Sequence, residues 1–281
     1  MDTKRIKAFK TSIRAYYKRA GRHDLPWRNI AAAADGTRDP YRILVSEVML
    51  QQTQVSRVLK KYDEFLKEFP TVNALAKAPV AKVLRVWQGL GYNRRALLLK
   101  RAAEAVVRDF QGTFPRTAAE LESLPGIGQS TRGALMAFAF SAPTAFIETN
   151  IRAVFLHFFF KGKKRVHDRD ILPLIERTLD RVNPREWYYA LMDYGVYLKL
   201  SLPNPSRRSA HHVRQSPFEG SNRQVRAEIV RFMLGKRHAT LGEIERHIRG
   251  AVGDTPHDIR KNIDNLVREG FMRKNGKSCS V

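Results

Sequence analysis

Apolar residues recur at helical spacing over the first two thirds of the chain, and no stretch before about residue 215 alternates as a half-buried strand would. Asp39-Pro40 predicts a helix start, with the apolar spacing continuing to Val55. Further helices are predicted at Pro79–Trp87, Asn93–Asp109, after Thr117, from near Gln129, at Asn150–Phe160 and from Asn183-Pro184 to Leu198. The fold class is therefore predicted to be mainly α.

The helical pattern breaks at residues 201–221, which are rich in Pro, Ser and Arg, and it resumes at Asn222. Three short helical segments follow, the second capped by Thr240 and the third by Thr255-Pro256, before a hairpin around Asn275-Gly276. This order predicts a linker at 215–221 and a small winged helix-turn-helix domain at 222–281. Its third helix would present five residues to a DNA groove: Arg260, Lys261, Asn262, Asn265 and Arg268. A small helical dimerisation domain with a solvated basic face is the alternative.

The chain carries 51 Lys and Arg against 27 Asp and Glu, a formal net charge of +24. Such an excess attracts a polyanion, and double-stranded DNA is the partner that we expect, rather than a membrane. The single cysteine, Cys279, excludes an internal disulfide and a cysteine-based metal site. The N-terminal stretch has no apolar signal-peptide core, so we expect a cytoplasmic, nucleoid-associated protein, and a monomer.

The segment LPGIGQST, residues 124–131, places two glycines in a short turn between predicted helices. The second helix would begin there with exposed N–H groups, which together with the helix dipole favour a phosphate. An ordinary tight turn between two helices is the alternative.

Two acids lie in apolar surroundings. Glu47 is enclosed by the helical stretch RILVSEVML, where a carboxylate is costly to bury unless it is paired or used. Glu148 lies at the start of another apolar helix, with Asn150 as the apparent cap. The alternatives are a polar residue at a helix edge for Glu47 and an acid favoured by the helix dipole for Glu148.

Five segments together resemble the MutY-type branch of the helix-hairpin-helix DNA glycosylases: PWRNI…RDPYRILVSEVMLQQT at 26–53, GLGY at 89–92, LPGIGQST at 124–131, FIETNIRAVF at 146–155 and MDYG at 192–195. The resemblance covers roughly residues 5–200. It implies a two-lobed glycosylase domain at 1–214, with one lobe at about 28–135 and a second from 1–27 plus 136–214. It also implies hydrolysis of the bond between deoxyribose and a base flipped out of the duplex.

The same resemblance implies roles for individual residues. Glu47 would protonate the leaving base and help to position water, and Glu148 would stabilise the oxocarbenium-like sugar. Asn150 would hydrogen-bond near the sugar and the water. The other implied positions are Trp27, Arg28 and Asp193 in the base pocket, Gln52 and Tyr92 pushing into the duplex near the partner base, and Gly126, Gly128 and Gln129 at the phosphate-binding hairpin.

Position 130 decides whether the strand is also cut. Family members that cut it carry a lysine there, whose amine forms a Schiff base with the sugar. The hydroxyl of Ser130 cannot form one, so the sequence predicts a monofunctional glycosylase that leaves an abasic site.

The chain departs from the family pattern in three places. Glu148 stands where the family has an aspartate, and the added methylene moves the carboxylate by roughly 1–1.5 Å. The four cysteines that hold an iron–sulfur cluster are absent from Lys199–Gln215. We therefore expect no metal and no cofactor, apart from a monovalent cation that the hairpin could take, and His167, His211 and His212 are expected to be solvated. The β-rich C-terminal domain that reads oxidised guanine is also missing.

Mispaired adenine is the substrate that this pattern favours. The loss of the β-rich domain keeps a second hypothesis open, in which thymine or uracil opposite guanine, or a chemically modified base, is removed in repair or phage defence. Because Glu148 replaces the family's aspartate, a third hypothesis stays open, in which the protein binds DNA without catalysing a reaction.

Overall fold

The computed structural model describes residues 2–281, which form fourteen α-helices and three short strands. The helices are α1 (Thr3–Ala20), α2 (Pro40–Leu50), α3 (Val55–Glu68), α4 (Val72–Lys77), α5 (Val80–Trp87), α6 (Arg94–Asp109), α7 (Ala118–Ser123), α8 (Gln129–Phe138), α9 (Thr149–Phe159), α10 (Asp168–Thr178), α11 (Pro184–Ser201), α12 (Asn222–Lys236), α13 (Leu241–Val252) and α14 (Ile259–Glu269). The strands are β1 (His238–Thr240), β2 (Arg273–Asn275) and β3 (Ser278–Ser280), and two 3₁₀ helices cover Pro26–Arg28 and Pro205–Arg208. Within the described residues, no helix is long and apolar enough to cross a membrane.

The chain divides into two compact units. The first comprises residues up to Glu47 together with Phe114–Ser123 and Ile127–Arg214. The second comprises Val48–Thr113, Leu124–Gly126 and Gln215–Val281. The C-terminal segment thus lies in one unit with α3–α6, and the domain limits predicted from the sequence remain a prediction.

In the first unit, α11 packs against α1, α8 and α9. The buried ring of Phe9 on α1 meets Phe155, Phe158 and Trp187 edge to face, with centroids 5.4, 5.0 and 5.9 Å apart. Such pairs add to the free energy already gained by removing large rings from water. This aromatic core joins three helices that are far apart in the sequence.

In the second unit, α6 packs against α4 and α5, and Phe65 of α3 meets Trp87 with centroids 5.9 Å apart. Its C-terminal part contains α12–α14 and a three-stranded antiparallel sheet of order β1-β3-β2. Ser280 of β3 pairs with His238 of β1 on one side and with Arg273 of β2 on the other.

The mainly helical prediction is confirmed, and one helix end, one helix cap and one strand differ from it. The helix from Pro40 ends at Leu50 rather than continuing to Val55, because Gln52 adopts a left-handed φ of 54° that no helix continues. α14 is capped by Asp258, which accepts a hydrogen bond from Lys261 N, and not by Thr255. β1 was not predicted, since three residues are too few to show alternation.

Candidate active site

Glu47 lies on α2 among buried apolar residues, and its carboxyl group is close to the charges of Glu148 and Arg28. The pKa of Glu47 is raised to about 8, mainly by loss of hydration and also by the negative charge of Glu148, while Arg28 partly offsets both. Part of the residue remains accessible while its carboxyl group is enclosed by protein. Glu47 is therefore mostly protonated at neutral pH and can act as an acid.

Glu148 is the N-cap of α9, a role that the sequence had wrongly given to Asn150. Its Oε1 accepts hydrogen bonds from the backbone N–H groups of Asn150 and Ile151, both at 2.7 Å. Its Oε2 accepts one from Asn150 Nδ2 at 3.1 Å. The side chain is thus folded back onto its own helix, whose N-terminal dipole favours a negative charge there. The carboxyl groups of Glu47 and Glu148 thus stand near each other in different surroundings, one deprived of water and the other capping a helix.

Lys199, near the end of α11, fixes the side chain of Asn150. Its Nζ donates to Asn150 Oδ1 at 2.8 Å, so the amide must turn its nitrogen toward Glu148. Burial lowers the pKa of Lys199, and Glu148 acts in the opposite direction. Gly195, one turn earlier on α11, allows this approach, because a Cβ there would lie 2.3 Å from Asn150 O.

The sequence analysis did not predict Lys199 as a site residue and named it only as the first residue of a segment without cysteines. The signal that could have identified it is its spacing from Gly195. Lys199 follows Gly195 of the MDYG segment by one helical turn, which places both residues on the same face of α11.

Asp193 and Arg28, both predicted in the base pocket, form a buried ion pair. Asp193 is 2% exposed and accepts two hydrogen bonds from Arg28, at 2.8 and 2.9 Å, and three from Arg22. Burial alone would raise the pKa of Asp193, but the hydrogen bonds and charge of Arg28 and Arg22 keep it below its usual value. Asp193 therefore holds Arg28, which in turn acts on Glu47. Trp27 is buried beside Arg28 in the first 3₁₀ helix.

The hairpin between α7 and α8 depends on its first glycine. Gly126 has a φ of +80°, and a Cβ there would lie 2.8 Å from Leu98 Cβ. Gly128, Gln129 and Ser130 are exposed where α8 begins. The backbone N–H groups at this helix start are suited to an anion.

Gln52 and Tyr92 lie on two separate turns, and they adopt left-handed φ angles of 54° and 46°, respectively. A third residue, Arg95, which the sequence analysis did not single out, ties these turns together. Its buried guanidinium donates to five carbonyl oxygens: Val48 (2.8 Å), Met49 (2.9 Å), Gln51 (2.5 Å), Leu90 (3.1 Å) and Gly91 (3.1 Å). Burial lowers the pKa of Arg95 to about 10, so it remains charged at neutral pH. Left-handed non-glycine residues of this kind persist where the surrounding structure imposes them, often at functional sites.

The predicted groove-facing surface of α14 needs one correction. Arg260 and Lys261 are exposed, and Arg260 forms an ion pair with Glu245. Asn262, however, is buried, and its Nδ2 donates to Asn222 Oδ1 at 2.7 Å and to Asp258 O at 3.0 Å. It packs α14 against α12 and cannot face a groove.

The residues after α11 do not fit an iron–sulfur cluster, because the chain has one cysteine and that residue, Cys279, is buried in β3. The segment is instead fastened to α9 by direct hydrogen bonds. Arg208 donates to Leu156 O at 2.8 Å and to Phe160 O at 2.5 Å, and Ser206 Oγ donates to Thr149 O at 3.1 Å. Across residues 2–281, no group of three or more His, Cys, Asp or Glu could hold a metal ion.

Comparison with known proteins matches residues 45–178 to the HhH-GPD superfamily of base excision DNA repair proteins. An adenine DNA glycosylase of Buchnera aphidicola is 33% identical over 68% of this chain and 53% of its own length. The human adenine DNA glycosylase is 35% identical over 69% of this chain and 36% of its own length. The structure of a thermostable thymine-DNA glycosylase superposes with a TM-score of 0.58 and 28% identity, covering 68% of this chain and 86% of that one.

The chain therefore carries a helix-hairpin-helix base excision repair domain, and the predicted glycosylase fold is confirmed. Within that superfamily, adenine DNA glycosylases are its homologues, as the MutY-type resemblance indicated. The chain spans between about a third and about half of the length of these two curated relatives.

Proposed function

We propose that this protein is a monofunctional DNA glycosylase that removes mispaired adenine from double-stranded DNA and acts as a monomer. The observation that carries the proposal is the pairing of Glu47, whose pKa is raised to about 8, with the helix-capping carboxylate of Glu148. Hydrolysis of a glycosidic bond requires this combination of a proton donor and a stabilising anion.

The reaction follows from the two carboxyl groups. With the target base out of the stack, Glu47 donates its proton to the base as the bond to C1′ breaks, so that the bonding electron pair leaves with the base. The carboxylate of Glu148 stabilises the positive charge that develops on the sugar. A water molecule then adds to C1′ and returns a proton to Glu47. The products are the free base and an abasic site in an intact strand.

The remaining residues of the site have supporting roles in this proposal. Asn150, held by Lys199, orients the carboxylate of Glu148, while Trp27 and Arg28 border the base. The hairpin at Gly126–Gln129 binds phosphate through its backbone, where a monovalent cation would add to the contact. No step of the reaction requires a cofactor.

A second candidate substrate is thymine or uracil opposite guanine. The specific observation in its favour is coverage, because the chain aligns with 86% of the thymine-DNA glycosylase but with 53% or less of the two adenine DNA glycosylases compared. The higher sequence identity to the adenine enzymes favours adenine.

End-labelled duplexes that carry each base opposite each partner base, treated with protein and then alkali, test the proposal. Strand cleavage at adenine mispairs supports the removal of adenine. The Glu47→Gln variant, which should lack the acid, is the negative control. If adenine mispairs survive while thymine or uracil opposite guanine is cut, the second candidate is correct. If no duplex is cut but all are bound, the protein is a non-catalytic DNA-binding protein.

The strand itself should remain intact without alkali, because Ser130 cannot form a Schiff base. Borohydride added to protein and abasic DNA is therefore expected to trap no covalent adduct. Efficient trapping would contradict the monofunctional assignment.

The excision rate should depend on pH through Glu47. Because the protonated form is the active one, we expect the single-turnover rate to fall as pH rises through about 8, by about tenfold per pH unit. Stability should follow the same ionisation. The folded pKa lies above the usual 4.5, so the unfolded chain loses this proton first, and the stabilising contribution declines between pH 4.5 and about 8.

The melting temperature of Glu47→Gln relative to the native protein should accordingly increase from pH 5 to pH 8. A pH-independent difference in melting temperature, together with a rate that stays constant up to pH 9, would show that Glu47 does not titrate as described.

Replacement of Lys199 by Met should slow excision by about 10- to 100-fold, since a hydrogen bond to a charged group contributes about 1.5–3 kcal/mol and Asn150 would lose its fixed orientation. Single-turnover rates measure the effect, and affinity for an abasic duplex should change little. Lys7→Met, an exposed position on α1, is the matched control for loss of one charge. Equal rates for the two variants would remove Lys199 from the site.

A further inference from the structure

The three-stranded sheet near the C-terminus turns one of its sides to solvent. Ala239 of β1 and Cys279 of β3 pair across the strands, and both are buried. Because successive side chains of a strand point to opposite sides, the residues before and after these two lie on the other side of the sheet. This side, called the outer face below, consists of six residues: His238, Thr240, Arg273, Asn275, Ser278 and Ser280.

The strand register arranges the outer face in two rows that run across the three strands. Each row holds three polar residues, with a serine in the central strand: His238, Ser280 and Arg273 in one, Thr240, Ser278 and Asn275 in the other. Five of these residues are exposed, and Ser280 is half-buried. The outer face is therefore lined by hydroxyl, amide and basic groups.

Three further cations flank the outer face, and their backbone is fixed. Lys236 is the last residue of α12, and Arg237 O accepts a hydrogen bond from Val281 N at 3.2 Å. Lys277 lies in the turn between β2 and β3, where its carbonyl oxygen accepts from Leu241 N at 2.9 Å. The side chains of all three cations are exposed.

Two acids adjoin the sheet, and each has a structural role. Glu243 accepts hydrogen bonds from Thr240 N and Thr240 Oγ1, at 2.7 and 2.8 Å. Asp264 forms an ion pair with Lys274 at 2.7 Å, and Lys274 pairs with Cys279, so it lies on the side opposite to the outer face. Within residues 2–281, no ion pair involves Arg273 or any of the three flanking cations. The outer face and its flanks therefore keep an excess of positive charge.

The exposed side of α14 differs in this respect, because acids stand beside its cations. Arg260 forms an ion pair with Glu245. Lys261 is three positions from Asp258 and from Asp264, a spacing that makes residues of a helix neighbours. The helix that the sequence predicted to enter a groove thus has less charge available for DNA than the sheet has.

The groups on the outer face are those that contact phosphates. Lysine, arginine, serine, threonine and asparagine side chains supply many of the contacts between proteins and the DNA backbone. A surface for single strands would add exposed aromatic rings on which bases stack. A protein or membrane interface would expose a large apolar patch, yet no large apolar side chain is exposed within residues 222–281. Duplex DNA is the polyanion that fits best.

We propose that the outer face, together with Lys236, Arg237 and Lys277, binds the phosphate backbone of double-stranded DNA, and that the exposed side of α14 does not. The surface would bind undamaged DNA without reading its sequence. The inference goes beyond the proposed function, because it requires neither an extruded base nor excision.

The full-length protein and an undamaged duplex of about 25 base pairs test the proposal, with affinity measured by fluorescence anisotropy between about 50 and 200 mM salt. Each phosphate contact adds about 0.9 to the slope of log affinity against log salt concentration. Replacing both Arg273 and Lys277 by Gln should therefore reduce the slope by about 1.8 and the affinity at about 100 mM salt by about tenfold. Lys277→Gln alone should reduce the slope by about 0.9.

Two further variants separate this surface from net charge and from folding. Replacing both Arg260 and Lys261 by Gln removes the same two charges from α14 and should leave the slope unchanged. Ser278→Asp removes no cation but places a carboxylate in the centre of the outer face, and it should weaken binding more than Lys277→Gln does. Because Lys277 is exposed in a turn, its variant tests the surface even if changes within the strands impair folding.

Three results would overturn the proposal. An unchanged slope in the sheet variants would show that the outer face does not bind DNA. A reduced slope in the α14 variant alone would assign the contact to that helix. Loss of cosedimentation with phosphatidylserine vesicles in sheet variants that keep their DNA affinity would identify a lipid surface. Since no base release is needed, a protein without glycosylase activity would fail the function proposed above and still give a defined result here.

Discussion

Glu47→Gln is expected to lower the single-turnover rate of base excision by about 10²–10⁴-fold, the usual contribution of general acid catalysis. The amide has nearly the shape of the protonated carboxyl group and carries no charge, so the site around it should keep its structure. Affinity for a duplex with an abasic analogue should therefore stay within about tenfold of the native value, because one changed neutral hydrogen bond contributes about 0.5–1.5 kcal/mol.

Glu64→Gln is the matched control, since Glu64 lies exposed on α3 with Lys61 as its ion-pair partner. Its excision rate should equal that of the native protein. A Glu47→Gln protein that remained fully active would mean that another group supplies the proton.

Asp193→Ala is expected to lower the free energy of unfolding by about 3–5 kcal/mol, which is the typical cost of leaving a buried cation without its partner. Arg28, 6% exposed, would lose both of its hydrogen bonds to the carboxylate, and Arg22 would lose three. Urea unfolding followed by circular dichroism measures the loss.

The contrasting variant is Asp35→Ala. Asp35 also pairs with an arginine, Arg116, at 2.9 Å, but both side chains are at least half exposed. Exposed pairs of this kind contribute little to stability, because water screens their charges. Similar destabilisation by the two variants would mean that the pair formed by Arg28 and Asp193 is solvated and contributes no more than an exposed pair.

The helical class could be predicted from the sequence, and so could the closeness of Glu47 and Glu148, while their roles stay a prediction. Apolar spacing marks helices that bury one face, and a carboxylate inside such a stretch, as at Glu47, requires an explanation of its own. The cap of α9 could not be predicted in the same way. Glu148 and Asn150 are both capable of capping, and the choice depends on which side chain folds back onto the helix.

The residues that were missed act through contacts between distant parts of the chain. Lys199 reaches Asn150 across 49 positions. The spacing from Gly195 places Lys199 on one face of α11 but does not predict its contact with Asn150, because the partners of such long side chains are set by how the helices pack.

The C-terminal segment illustrates the same limit. The change of composition at 201–221 indicated a linker. Nothing in the sequence indicated that the segment after it would contact α6. Arg101 of α6 donates to Glu269 O at 2.6 Å, and Arg226 forms an ion pair with the same glutamate at 2.9 Å. Basic side chains that the charge balance assigned to DNA are thus partly used to hold the protein together.

The joint action of Glu47 and Glu148 on a sugar that becomes positively charged is tested most directly by two abasic mimics. A duplex with a cationic pyrrolidine at the target position resembles the transition state, whereas one with neutral tetrahydrofuran does not. The native protein should bind the cationic duplex more tightly, and Glu148→Gln should abolish most of that difference while binding the neutral duplex normally. Equal affinity of the native protein for both duplexes, or a preference that survives in Glu148→Gln, would contradict the role assigned to this carboxylate.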